Sequence, residues 1–194
     1  MPRFSWDNTR VALADTSGGS SIFDRDTGVY QAHLVRGLPD RITRLGFSTG
    51  GRFLIATTPN GRPNRLYDVT TRREVLQFEP TTVTTAGRAI SSDERWFVHT
   101  RAASSGQIEV VLTDLSSSNL LERVLVTVPS GGLLRAAFAE TSNTVYVIRD
   151  LPVAAYQIES FSNRSGVNRL GEIAAVSPMG ADQGFLVLRP NGDV

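Results

Sequence analysis

The chain repeats itself at an interval of about 43 residues. RFSWDNTRVALADT (3–16) is echoed by GFSTGGRFLIATT (46–58) and AISSDERWFVHTR (89–101), with looser copies in AFAETSNTVYVIRD (137–150) and AVSPMGADQGFLVLR (175–189). The anchors Phe4-Ser5, Phe47-Ser48, Ile90-Ser91, Phe138-Ala139 and Val176-Ser177 are spaced by 43, 43, 48 and 38 residues. A unit of this size cannot bury its apolar face alone, so its neighbours must cover it. That requirement limits the chain to a stacked or ring-like repeat architecture.

A second signal follows each of the first three anchors by 20–24 residues: SIFDRDTGVYQ (21–31), RLYDVTTRREV (65–75) and VLTDLSSSNLL (111–121) align Asp24, Asp68 and Asp114. Runs such as RFLIATT, RWFVHT, TVYVIR and RVLVTV are short and rich in β-branched and aromatic residues, as strands are. Gly, Asn, Asp, Ser and Pro interrupt them every 8–12 residues, too often for ordinary helices. The best helical candidate, GGLLRAAFAE (131–140), falls where the repeat demands a strand. FLIATT and GFLVL are unbroken apolar runs, which suits strands covered on both faces. The expected fold is therefore all-β: a β-propeller of four-stranded antiparallel blades, about four and a half of them. The units run 1–40, 41–82, 83–130, 131–173 and a partial 174–194 within a single 1–194 domain, and the second blade's strands are expected at 42–48, 52–58, 64–69 and 73–79.

On FSTGGRFLIATT with RLYDVTTRREVLQF, and FSWDNTRVALADT with SIFDRDTGVY, the chain resembles the WD-repeat and TolB-like β-propeller families over essentially its full length. The resemblance implies blades that carry binding surfaces. Two departures weaken the WD match: no Gly-His dipeptide opens a unit, and Tyr67-Asp68 is the only near match to Trp-Asp. The Ser/His/Asp hydrogen-bond network of well-formed WD repeats is therefore not expected.

The recurring residues Phe4, Ser5, Phe47, Ser48, Ile90, Ser91 and Phe138 read as core packing and turn closure. Asp24, Asp68 and Asp114, with Tyr67 beside the second, read as turn residues whose carboxylates accept backbone N–H groups. The phase of the repeat leaves two ends that do not combine into one blade, so another chain or further sequence is expected to cover the open edge.

All 20 basic residues are Arg, balanced by 19 acids to a net charge of +1. No basic footprint for nucleic acid results, and the absence of Lys reads as codon bias in preference to an Arg surface for carboxylate, phosphate or nucleic acid. There is no Cys, and His33 and His99 lack partners at ligand spacing, so neither a metal nor another cofactor is expected. No apolar run is long enough to span a bilayer. MPRFSWDNTR carries no apolar leader behind its Arg, which favours the cytoplasm.

Catalytic motifs are missing as well: no G-x-S-x-G, no P-loop, no H-E-x-x-H. Acids from separate blades, such as Asp15, Asp150 and Asp182, could still meet at a central channel, which keeps open a hydrolase, a ligand-binding propeller or the gating propeller of a larger peptidase. The favoured expectation is a non-enzymatic scaffold for other protein chains, a subunit of a larger assembly. Its contact face is expected on the loops TPNGRPN (58–64), RAASSGQ (101–107) and DLPVAA (150–155), with Arg62, Pro63, Arg65 and Arg101 as contacts.

Overall fold

A computed structural model describes residues 2–15, 18–35, 42–59, 62–78, 89–104, 106–130, 134–138, 144–150, 156–162, 168–173, 175–178 and 185–188. Every named element is a β-strand. The chain divides into two compact units, Met1–Thr81 with Ser92–Glu94, and Thr82–Ser91 with Arg95–Val194.

The first unit holds two four-stranded meanders. One is β1 (Arg3–Phe4), β2 (Arg10–Ala14), β3 (Ser20–Asp24) and β4 (Tyr30–Val35); the other is β5 (Arg44–Phe47), β6 (Phe53–Thr57), β7 (Asn64–Asp68) and β8 (Arg73–Phe78). Consecutive strands pair antiparallel throughout. The strands of the second sheet lie inside the four segments expected from sequence, each end trimmed by at most two residues.

Strand periodicity decides which side chains make the core. Register places Ala12 opposite Ile22 on one face of the first sheet, and Phe47, Leu54 and Tyr67 in one row of the second. These two faces pack together with Leu45 and Ala56, flanked by Ala14 and Leu34. Phe53 and Ile55, on the opposite face of β6, are also buried, so the unbroken apolar run of that strand is used on both sides. Each such side chain contributes about 1.5–3 kcal/mol of burial. Phe4 departs from the expected core role: it is 55% exposed, whereas Phe47, Ile90 and Phe138 are buried. The difference is tertiary: Phe47 packs against Ala12 and Ile22 of the first sheet, whereas Phe4 lies in the row of Val11 and Phe23 on that sheet's other face.

The second unit contains a sheet of β9 (Trp96–Ala102), β10 (Gln107–Asp114) and β11 (Glu122–Pro129). Where the innermost strand is expected, the described residues show a bridge between Ile90 and Phe97, and residues 79–88 before it lie outside the described residues. A four-stranded sheet follows: β12 (Leu134–Phe138), β13 (Thr144–Asp150), β14 (Tyr156–Ser162) and β15 (Asn168–Ile173), and then a pair, β16 (Ala175–Pro178) with β17 (Phe185–Leu188). GGLLRAAFAE thus supplies β12, a strand. In each sheet of three or four strands, the register between the last strand in sequence and the one before it shifts by a bulge: at Ser20/Ser21 and Ile22/Phe23, Leu66/Tyr67, Val110/Val111 and Ser160/Phe161. Bulges there increase the twist of the outer strand.

Candidate functional site

The recurring Ser closes one hairpin in the same way three times. Ser5 Oγ accepts Arg10 N at 3.0 Å, Ser48 Oγ accepts Phe53 N at 2.9 Å, and Ser91 Oγ accepts Trp96 N at 2.9 Å. In return each Ser N–H donates to the carbonyl of the same partner, at 2.9–3.0 Å. The turn needs a left-handed residue three positions after the Ser, and Asn8 (φ 61°), Gly51 (φ 77°) and Glu94 (φ 56°) fill it. Glycine adopts this conformation without steric penalty, and Asn with little.

The aligned acids cap the other hairpin. Asp24 Oδ1 accepts Thr27 N at 2.9 Å and Thr27 Oγ1 at 2.7 Å. Asp68 Oδ1 accepts Thr70 N and Thr71 N at 2.8 and 2.9 Å. Asp114 Oδ1 accepts Ser116 N at 2.9 Å and Ser116 Oγ at 2.6 Å. The second oxygens of Asp68 and Asp114 take Arg52 at 3.0 Å and Arg95 at 3.1 Å. Those two guanidiniums also lie over the rings of their next residues, Phe53 at 4.7 Å and Trp96 at 4.8 Å. Burial pushes the Asp68 carboxyl up, but hydrogen bonds from Thr71 N and Arg52 outweigh it and hold Asp68 below the usual carboxylate range. In Asp114 the Ser116 and Arg95 bonds likewise overcome burial, and Asp24 is lowered chiefly by Thr27.

Sequence reasoning missed Glu94. In the first turn the Ser5 hydroxyl donates to Asp7, two residues on, which also accepts Thr9 N at 3.1 Å. The equivalent position in the second turn is Gly50, which has no side chain. Glu94 supplies the carboxylate instead, accepting the Ser48 hydroxyl and Arg52 N at 3.2 Å. A Cβ on Gly50 would lie 2.6–2.9 Å from the Glu94 carboxyl group. Arg10 adds a further tie between turns, donating to the Gly51 carbonyl at 3.2 Å. The only sequence signal was the acid missing from Gly50.

At the opposite end of the sheets lie the loops that connect second to third strands. Thr58 Oγ1 is within bonding distance of the carbonyls of Arg62 (3.0 Å) and Pro63 (3.1 Å), and Thr58 N donates to Asn64 Oδ1 at 3.2 Å. Arg62 and Pro63 are exposed on this loop. Arg65 lies on β7, where Glu74 binds it at 2.6 Å; burial and that same carboxylate push the Tyr67 hydroxyl up to about 12. Arg101 lies on β9, held at 2.7 Å by both Glu109 and Glu122. Both guanidiniums are therefore engaged by carboxylates of their own sheet. Of the channel candidates, Asp15 is tied to its own loop by accepting Gly19 N at 2.7 Å, Asp150 ends β13, and Asp182 lies outside the described residues.

The buried His99 ring stacks on Phe97 at 5.2 Å, meets Thr113 Oγ1 at 3.0 Å, and lies 3.8 Å from Glu122. Burial lowers its pKa more than Glu122 raises it, so the imidazole is neutral near pH 7. No group of three or more His, Cys, Asp or Glu able to hold a metal occurs among the described residues.

Solved structures place this arrangement in a fold. The chain resembles the β-propeller domain of Cps50 (Swd1) from Myceliophteria thermophila, with TM-score 0.57 and 16% identity over 97% of this chain and 60% of that one. It resembles the C-terminal WD40 domain of Sif2, with TM-score 0.57 and 14% identity over 97% and 51%. It also resembles TolB from Acinetobacter baumannii, with TM-score 0.50 and 15% identity over 89% and 43%. An oligogalacturonate lyase and prolyl endopeptidases share the fold too. No protein-family model matches the chain, and no curated protein matches it. The fold is that of a β-propeller, and the chain spans 43–60% of the length of these three structures.

Proposed function

We propose that this propeller is a non-enzymatic scaffold that presents rigid turns and loops to other protein chains within a larger assembly. The observation that carries the reading is how the polar groups are used. Asp24, Asp68 and Asp114 are consumed in closing their own turns, while Trp6 stands 63% exposed on the first hairpin turn. Exposed Trp on a rigid framework is the residue type that most often anchors a protein interface. WD40 domains among the matched structures support the same reading. On the loop end, Arg62 and Pro63 are proposed as direct contacts, with Arg65 and Arg101 holding the adjoining strands through their carboxylate partners.

The test is affinity capture from the native host with quantitative mass spectrometry. Trp6→Ala and the triple change Arg62→Glu, Arg65→Glu, Arg101→Glu should each deplete proteins retained by the unaltered chain, with circular dichroism confirming that the variants fold. Retention of no protein above a bare-resin control would overturn the scaffold reading. The enzymes that share the fold support a second reading, a hydrolase or ligand-binding propeller, or the gating propeller of a peptidase. Its metal-dependent form predicts a rise in Tm with millimolar Ca²⁺.

A further inference from the structure

Ser21 and His33 stand directly opposite each other on β3 and β4, and Ser21 Oγ meets His33 Nδ1 at 2.9 Å. The loop from β2 to β3 brings Asp15 to the same place. Asp15 N donates to the Gly19 carbonyl at 3.0 Å, and Asp15 Oδ1 accepts Gly19 N at 2.7 Å. These two bonds close the loop and turn the other carboxylate oxygen across Gly19. A Cβ on Gly19 would overlap Asp15 Oδ2 and lie 3.1 Å from His33 Cε1. The carboxylate and the imidazole therefore flank one small space, which exists because residue 19 has no side chain. Asp15 is exposed and His33 half-buried, so the space is reached from solvent.

The second sheet does not repeat this group. Its opposed pair at the equivalent place, 44 residues on, is Arg65 with Gln77, and Thr58 follows Asp15 by 43 residues. The turn serines and aspartates recur because each sheet needs its hairpins closed. Asp15, Ser21 and His33 do not recur there, so closing a sheet does not require them. Sequence spacing hides the group, since a loop and two strands separate Asp15 from His33 along the chain.

We propose that Asp15 and His33 form a binding site for a divalent first-row transition ion of the Zn²⁺ kind, with water completing its coordination. The ligand atoms are His33 Nε2 and Asp15 Oδ2. A neutral imidazole carries one N–H and one lone pair. When Nδ1–H donates to Ser21 Oγ, the lone pair is left on Nε2, and the hydroxyl holds the ring in the orientation and tautomer that a metal needs. One imidazole nitrogen with one carboxylate suits Zn²⁺, Cu²⁺ or Ni²⁺, whereas Ca²⁺ and Mg²⁺ take oxygen ligands. Two protein ligands hold the ion less tightly than the four of a closed structural site. Once bound, it ties the β2–β3 loop to β4. The site goes beyond the scaffold reading and does not depend on it.

The test uses the whole chain, made without a histidine tag, stripped with EDTA and titrated with ZnCl₂ while the imidazole signals are followed by NMR. The chain has two His, and His99→Gln tells them apart. The expected result is a saturable change in the His33 ring, largest at Nε2, at sub-millimolar Zn²⁺, with a rise in Tm by mass action; MgCl₂ should produce neither. Asp15→Asn keeps an Oδ1 acceptor for Gly19 N while removing the charge. It should leave the loop closed and lower Zn²⁺ affinity by roughly tenfold or more, as even the loss of an outer partner does at metal sites. Gly19→Ala should weaken binding as well by filling the space, with circular dichroism checking that each variant folds. A His33 ring unmoved by millimolar Zn²⁺ overturns the proposal. So do changes at His99 in place of His33, equal affinity in Asp15→Asn, or binding that persists in His33→Gln.

Discussion

Replacing Ser48 with alanine removes one oxygen from a site with no access to water. Ser48 and Phe53 are both essentially fully buried, and Ser48 Oγ is the acceptor for the Phe53 N–H at 2.9 Å. Without it that N–H is desolvated and unpaired, at about 1–3 kcal/mol. The same hydroxyl donates to Glu94, a partly exposed carboxylate that can turn to water, so its loss adds only a fraction more. The expected destabilisation is about 1–3 kcal/mol, or roughly 2–12 °C in Tm for a chain of this size. Thr49→Ala in the adjacent exposed position should stay within about 0.5 kcal/mol. Urea denaturation followed by tryptophan fluorescence measures both. A Ser48→Ala cost below about 0.5 kcal/mol would refute the reasoning, since it would mean that the Ser hydroxyl does not satisfy the strand backbone.

Two further outcomes follow from the same turns and from the buried imidazole. Gly50→Ala should cost about 1–2 kcal/mol by displacing the Glu94 carboxylate; in a Glu94→Ala background it should be close to neutral, and Gly50→Asp there should regain stability by supplying its own acceptor, as Asp7 does. Additive effects in that double-mutant cycle would rule out the shared site. For His99, burial depresses the folded-state pKa below 6.5, so the unfolded chain takes up the proton first. The contribution of the neutral ring is complete above pH 6.5 and is lost as pH falls toward the folded value. The urea midpoint should therefore drop more between pH 7.5 and 5.5 in the unaltered protein than in His99→Gln, and equal drops would count against this role.

Much of the architecture was legible because strand signals are local. Phe-Ser, two turn residues and an apolar run specify a hairpin within about a dozen residues, and repetition at 43-residue spacing marks the sheets. The turn acids were legible for the same reason, their partners lying two or three residues away. Arg65 and Arg101 were not, because their carboxylate partners Glu74, Glu109 and Glu122 lie on neighbouring strands, and only register brings them together. Glu94 was hidden for a similar reason: it serves a turn 46 residues earlier in the chain.

By itself, then, the sequence determined the strand order, the repeat and the turn chemistry, since each depends on residues close together along the chain. Tertiary structure alone decided which face of each strand is covered. Phe4 and Phe47 occupy the same place in their repeats, yet one is half exposed and the other buried. The difference comes from the sheet lying opposite, and burial depends on that neighbour, whatever the residue's own identity.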